Sequence, residues 1–258
     1  MSLYRKGIRT EHTSGTAGTS GEMAVWTYNT GELWDSTSRL VVALHGHGGD
    51  ATQFNQNVGS GAGAMALART GRYVVVGIDA NGPTSWSKPS VMTAIAAAIT
   101  AANARGVSTA KYGLLGWSMG GLEVANRIKR DYSKIAAAWT WAPAIDLDYV
   151  YSTAGHVPIA NNATWTSEVN TAFGSYAATA GYRVHDEPAS YHGLGVPWKI
   201  CHATNDSVIP QSISTSFVAA VNDPDVTMRT PDIVGDHAGL FQYIPDDEIV
   251  AHFDNGNW

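Results

Sequence analysis

Cysteine is nearly absent from this 258-residue chain, with Cys201 the single example. One thiol closes no internal disulfide and builds no thiolate metal cage, so a disulfide scaffold and a cysteine-rich zinc module are both excluded. Basic residues are also few: 16 Lys and Arg face 22 Asp and Glu, the net charge is −6, and the cations are scattered. Phosphate backbones select for clustered positive charge, so no nucleic-acid partner is expected. No apolar run reaches the roughly 18 residues of a transmembrane helix, and no transmembrane segment is expected. Residues Met1-Ser2-Leu3-Tyr4-Arg5-Lys6-Gly7 lack the apolar centre of a secretion signal. The expected location is therefore cytoplasmic, or outside the cell by a route without a signal peptide, for example for a phage-encoded protein. A Pro/Ser-rich linker, a charge block and an internal repeat are all missing too, which favours a single domain over residues 1–258.

What the chain does have is apolar material, 44% of it, enough for a sizeable core. Apolar runs read as strands at Met23 to Tyr28, Arg39 to Leu44, Tyr73 to Ile78, Tyr112 to Leu115, Ile135 to Trp141, Trp198 to Ala203 and Val226 to Thr230. Helical patterns lie between most of them, at Ala62 to Arg69, Val91 to Arg105, Leu122 to Arg130, Ser212 to Val221 and Asp247 to Phe253. Strands apolar throughout and alternating with helices predict an α/β fold with a mostly parallel, doubly wound sheet covered on both faces. From Pro143 to Val196 the alternation stops, and a structureless loop of about fifty residues is improbable in a compact domain. Residues 143–196 are therefore expected to form a small cap over the carboxyl edge of the sheet, where ligand sites of open α/β sheets lie. Thr13 to Gly21, rich in Gly, Thr and Ser, is expected to be a loop or loose arm, and Cys201 a small packing residue within a strand.

The sharpest signal is Gly116-Trp117-Ser118-Met119-Gly120, which fits G-x-S-x-G between the Tyr112 strand and the Leu122 helix. A serine there sits on a tight turn, and the flanking glycines let the backbone cross itself without side-chain clash. A serine hydroxyl is a weak nucleophile near neutral pH and needs a base held by an acid. Asp206 stands just beyond the Trp198 strand, and His237 follows the last strand within Gly235-Asp236-His237-Ala238-Gly239. Their order is Ser118, Asp206, His237, spaced by 88 and 31 residues, the chain order expected with this motif. Asp146 is the rival acid. Asp236 reads as a turn residue or a partner that supports the neighbouring base, and His202, His252, His156, His185 and His192 are less well placed as bases. Donors for a developing oxyanion are expected from the Met119 amide and from the His47 or Gly48 amide of the loop Leu44-His45-Gly46-His47-Gly48-Gly49. His45, Trp117 and Trp141 are expected beside the substrate, and Tyr149, Tyr151, Trp165 and Tyr176 are cap aromatics that touch substrate or pack the cap.

Taken together, Gly116-Trp117-Ser118-Met119-Gly120-Gly121, the His45-Gly46-x-Gly48-Gly49 loop, Asp206 and His237 resemble the α/β-hydrolase superfamily from about Leu40 onward. The resemblance implies an eight-stranded type of sheet, a Ser-Asp-His triad and hydrolysis without a cofactor, most often of carboxylic esters. The His-Gly-x-Gly-Gly loop also resembles that of polyester depolymerases and of feruloyl or acetyl esterases. The residues before Leu40 are too few and too polar to match the family's first two strands, which leaves a trimmed sheet open.

The expected activity is that of a serine esterase, with no cofactor, no metal and a small-molecule or lipid ester as substrate; a homo-oligomer is left open. Alternatives are a peptidase or amidase with the same triad, since Gly-Trp-Ser-x-Gly-Gly also resembles prolyl-oligopeptidase-type catalytic domains, an esterase of phage or actinobacterial type acting on a cell-envelope lipid, and a catalytically silent binding scaffold. His45-x-His47 with Asp50 has the wrong spacing for the metal loop of metallo-β-lactamase-like hydrolases. Gly46-x-Gly48-x-x-Ala51 and Gly61-x-Gly63-x-x-Ala66 satisfy a loose dinucleotide fingerprint, but Asp79 is poorly placed as its acid and the triad residues would be left unexplained.

Overall fold

Strands that are apolar on both faces have to be covered on both faces, and this constraint organises the chain. The computed structural model describes residues 8–14, 23–29, 34–55, 61–151, 162–231, 236–240 and 246–258. Its strands are β1 (Ile8–Ser14), β2 (Met23–Asn29), β3 (Arg39–Leu44), β4 (Tyr73–Ile78), β5 (Ser108–Trp117), β6 (Ile135–Trp141), β7 (Trp198–Cys201) and β8 (Val226–Arg229). They form one sheet in the order β1-β2-β4-β3-β5-β6-β7-β8. β2 pairs antiparallel with β1 and β4, and every other pairing is parallel. The fold is thus the mostly parallel α/β sheet expected, but it is not trimmed. Ile8–Ser14 runs alongside Met23–Asn29 as an added edge strand. Its sequence, Ile-Arg-Thr-Glu-His-Thr-Ser, is mostly polar, and an antiparallel edge strand needs no apolar stretch because backbone pairing holds it. Thr13 and Ser14, assigned to a loop from composition, belong to this strand, while residues 15–22 lie outside those described.

The helices are α1 (Gly61–Arg69), α2 (Pro89–Ala104), α3 (Met119–Asp131), α4 (Leu147–Tyr151), α5 (Asn162–Phe173), α6 (Gln211–Val221) and α7 (Asp246–Asp254). Local chemistry explains several of their ends. Pro89 starts α2, where its fixed φ suits a helix and its missing N–H costs nothing, and Asn222 ends α6 in the left-handed conformation at φ 49°. The two-residue period of a strand divides the core between the faces. Leu40, Val42 and Leu44 of β3 pack with Val91 and Ile95 of α2 and Leu122 and Ala125 of α3. Val41 and Ala43 pack on the other face with Ala64 and Leu67 of α1 and Ile249 and Phe253 of α7. Cys201 is fully buried in this second cluster, and burial pushes its thiol well above the usual range, so it packs and does not react. Among the described residues, no helix is long and apolar enough to cross a membrane.

Between β6 and β7 the chain carries α4, α5 and three short 3-10 turns at Tyr176–Thr179, Val184–Asp186 and Pro188–Tyr191. Helix α5 brings Trp165 and Val169 into the first core cluster, so this insert is anchored on the sheet side of the molecule.

Where β5 turns into α3, main chain crosses main chain. A Cβ on Gly120 would stand 2.0 Å from the Leu44 carbonyl oxygen and 2.6 Å from that of His45. One on Gly116 would stand 2.6 Å from the Gly120 carbonyl oxygen. Only glycine fits either position. Gly120→Ala is expected to lower the unfolding free energy by at least about 2 kcal/mol, measured as a drop in the urea midpoint. An unchanged midpoint would show that the turn can open without cost.

Candidate active site

The crossing at Gly120 decides what happens to Ser118. Its backbone is held at φ 52° and ψ −115°, a conformation that L-residues avoid. Three backbone hydrogen bonds hold it there: Ser118 N–H donates to the Trp141 carbonyl, and the Ser118 carbonyl accepts from Gly121 and Ala144 N–H, each at 2.9 Å. The Ser118 hydroxyl makes no hydrogen bond to a described residue. It stands at the start of the 13-residue helix α3, where the unpaired N–H groups of the first turn favour negative charge.

Asp206 and His237 meet at the same edge of the sheet. His237 Nδ1 lies 2.7 Å from Asp206 Oδ2. A carboxylate only accepts, so Nδ1 carries the proton and Nε2 keeps a lone pair. Asp206 Oδ1 accepts from the Val208 and Ile209 N–H groups at 2.9 and 2.8 Å, and His202 Nε2 approaches Oδ2 to 3.2 Å. Burial pushes the Asp206 carboxyl up, but the hydrogen bonds from His202, His237 and Ile209 N–H outweigh it and hold the group well below the usual carboxylate range. Trp117 connects this pair to the serine turn: its ring lies 5.5 Å from that of His237 at a tilt of 34°, and its Nε1–H donates to the His237 carbonyl at 3.3 Å. Ser118, Asp206 and His237 are only 6, 7 and 8% exposed, a shielded setting in which polar contacts are stronger than in water.

The loop after β3 supplies the other wall. Gly46 N–H donates to Gln53 Oε1, Gly48 N–H to the Pro83 carbonyl and Gly49 N–H to the Gly46 carbonyl. The His47 N–H and the Met119 N–H donate to no described residue. Gly48, one of the two loop amides expected from sequence, is therefore already engaged. His45, expected beside the substrate, is fully buried: Nδ1 lies 2.8 Å from the Gly46 carbonyl and Nε2 2.7 Å from that of Asp79. It braces the loop and cannot line a cleft. Trp141, expected there too, is 1% exposed and packs against Phe54 and Trp139 in the second core cluster; it shares a sheet face with its register partner Trp117 but is covered there. Among the aromatics between β6 and β7, Tyr149 donates to the Val208 carbonyl at 3.3 Å, Tyr151 stacks on Tyr176 at 4.3 Å, and Trp165 is 4% exposed.

The rivals are occupied elsewhere. Asp146 caps α4 by accepting the Tyr149 N–H and faces His185. His252 lies against the Ala138 carbonyl, and burial pulls it down to about 4. His192 reaches the Asn222 carbonyl, and His156 lies outside the described residues. Asp236 accepts the Ala238 and Gly239 N–H groups within its own turn.

Two features carried no sequence signal. The segment from Asp79 to Lys88, between β4 and α2, backs the loop after β3 through Pro83, and its Trp86 N–H donates to the Met119 sulfur at 3.3 Å. Beneath it lies Glu123, fully buried on α3, with the Ser85 hydroxyl hydrogen-bonded to Oε1. Burial, only partly offset by His45, Ser85, Ser87 and Lys88, pushes Glu123 up from 4.5 to about 7. An α-helical glutamate in a chain with 22 acids gives no hint of burial until its neighbours are in place.

The raised Glu123 has a definite consequence for stability. The native state holds this proton more tightly than the unfolded chain, so stability falls as pH rises from about 4.5 to about 7. Asp206 acts with opposite sign: its contribution is present above the ordinary carboxylate range and is lost as pH drops below it. Glu123→Gln keeps the shape without the charge, and its unfolding temperature should rise relative to the parent between pH 5 and pH 8. Parallel curves for the two proteins would refute the buried-acid assignment.

No protein-family model and no curated protein matches this sequence. Solved structures do match. An S-formylglutathione hydrolase from Agrobacterium tumefaciens superposes with a TM-score of 0.71 at 12% identity, over 99% of this chain and 97% of that one. Esterase B from Lactobacillus rhamnosis gives 0.71 at 16% identity, over 96% and 86%. A candidate dipeptidyl aminopeptidase IV from Bacteroides ovatus gives 0.70 at 15% identity over 97% of this chain, which spans only 36% of that protein's length. Sheet order, the strand-to-helix turn at Ser118 and these superpositions agree that the chain has the α/β-hydrolase fold.

Proposed function

We propose that this protein is a serine hydrolase that cleaves carboxylic esters through an acyl-enzyme intermediate. The observation that carries the reading is the hydrogen bond between His237 Nδ1 and Asp206 Oδ2, made beside a serine held at positive φ on a strand-to-helix turn. In this reading Ser118 Oγ attacks the ester carbonyl carbon, and its proton passes to His237 Nε2, the nitrogen left unprotonated by the Asp206 contact. Such contacts commonly tighten only when substrate is bound. The tetrahedral oxyanion is held by the His47 and Met119 N–H groups, which donate to no described residue. His237 then protonates the leaving alcohol as the Ser118 acyl ester forms. Water, deprotonated by His237, attacks that ester, and the proton returns to Ser118 as the acid departs. Asp206 fixes the tautomer and stabilises the imidazolium.

Residues 143–196 act as the cap over this site, and Trp117, packed on His237, lines the cleft. An esterase and an S-formylglutathione hydrolase are among the structural neighbours, which favours ester chemistry. The dipeptidyl aminopeptidase likeness favours amide cleavage as the second reading, and the same assay separates the two.

Ser118→Ala should cut turnover of p-nitrophenyl butyrate by at least about a thousandfold with the fold retained, and a fluorophosphonate should label Ser118 in the parent alone. Asp206→Asn, which reverses the hydrogen-bond polarity at Nδ1, should cost about a thousandfold or more. Residual activity near that of the parent in Ser118→Ala would reject the assignment. An aminoacyl p-nitroanilide turned over faster than the ester would move the protein to the peptidase class.

A further inference from the structure

Helix α5 of the insert reaches the loop after β3 through one acid. Glu168 Oε2 lies 2.8 Å from His47 Nε2 and 2.9 Å from Trp86 Nε1. Trp165 is three residues earlier on α5, on the same helix face. Its ring packs 5.8 Å from that of His47 and 5.4 Å from that of Trp86, and the rings of His47 and Trp86 are themselves 5.4 Å apart. The His47 side chain is thus gripped by α5 on one side and by the β4-to-α2 segment on the other. An ionised carboxylate only accepts, so Glu168 selects the His47 tautomer with its proton on Nε2. Both donors converge on one oxygen that is walled by indole rings, with the Glu168 side chain 19% exposed, and this sets the contact apart from a solvated surface pair.

We infer that Glu168 is a positioning residue for the oxyanion site: by fixing the His47 ring it fixes the peptide plane whose N–H faces the cleft. The inference rests on the proposed role of the His47 amide. No hydrogen bond to a described residue holds that N–H in place, so its orientation depends on the Gly46 and Gly48 amides on either side and on the His47 side chain. Oxyanion stabilisation is steep in donor placement, and an error near 1 Å costs on the order of a hundredfold. The insert therefore does more than cover the site: its seating sets the geometry of one donor.

The test uses the full-length protein with p-nitrophenyl butyrate and three variants. Glu168→Ala should lower kcat by about ten- to a hundredfold with KM within about threefold of the parent. Glu168→Gln, whose amide oxygen still accepts, should recover most of the loss. Glu187→Ala, an exposed acid on the same insert paired with Lys129, should leave kcat unchanged. The His47 ring nitrogens, read by 15N NMR, should show a single Nε2–H tautomer in the parent and a mixture in Glu168→Ala. If Glu168→Ala does not fold, Glu168→Asp, one methylene shorter and unable to reach both donors, replaces it with the same expected loss. A lowered KM effect without a kcat effect, or no rescue by Gln, overturns the positioning role. An unchanged tautomer in Glu168→Ala overturns the contact itself. The NMR readout needs no activity, so it separates these failures from a failure of the esterase reading, which Ser118→Ala reports.

Discussion

The close passage of Gly120 under the carbonyls of Leu44 and His45 is the contact on which the rest of the site depends. It presses the start of α3 against the end of β3, and so brings the residue after the serine beside the loop that follows β3. The same crowding forces Ser118 to positive φ, which turns its side chain out of the sheet edge and not along the strand. Strain of this kind costs roughly 1–3 kcal/mol and persists only when the surroundings over-determine it. Here they do: one donor and two acceptor contacts lock the Ser118 peptide groups, and parallel pairing of β5 with β3 and β6 holds the strand that feeds the turn.

Polar groups around the site are arranged so that each has one definite role. Asp206 spends one oxygen on backbone N–H groups and offers the other to two imidazoles. Its low proton affinity keeps it an acceptor, and that choice orients His237. His202, fully buried between the Ser214 hydroxyl, the Ile209 carbonyl and Asp206, supports the acid from behind. Trp117 then ties His237 to the Ser118 turn through both its ring and its N–H. His237 is consequently fixed by two segments that are distant in the chain.

The loop after β3 is braced on both sides in a comparable way. His45 is sealed into the interior by two backbone carbonyls, Gly48 is held by Pro83, and His47 is held by Glu168 and two tryptophans. His45 and His47, two residues apart, thus face different ways, one into the protein and one toward the insert. Glu123 and Ser85 lie beneath this arrangement, and the buried acid is a cost that the tight packing of the nucleophile turn brings with it.

The residues themselves determined which segments become strands and helices, because a run such as Val74-Val75-Val76 is stable only when covered on both faces, and because Gly-x-Ser-x-Gly between strand and helix admits few backbone solutions. Seven of the eight strands and the chain order of Ser118, Asp206 and His237 were readable on that basis. β1 was not: its polar sequence carries no period, and it exists only because β2 offers it an open edge. Nor could a sequence say that His45 and Trp141 are sealed in the interior while Trp117 reaches His237, since how far a side chain is covered depends on what packs over it. The burial of Glu123, the engagement of the Gly48 amide and the reach of Glu168 to His47 were likewise settled by tertiary structure alone. Each depends on two segments separated by tens of residues arriving within hydrogen-bonding distance, and side-chain direction and proximity at that scale are properties of packing, not of local pattern.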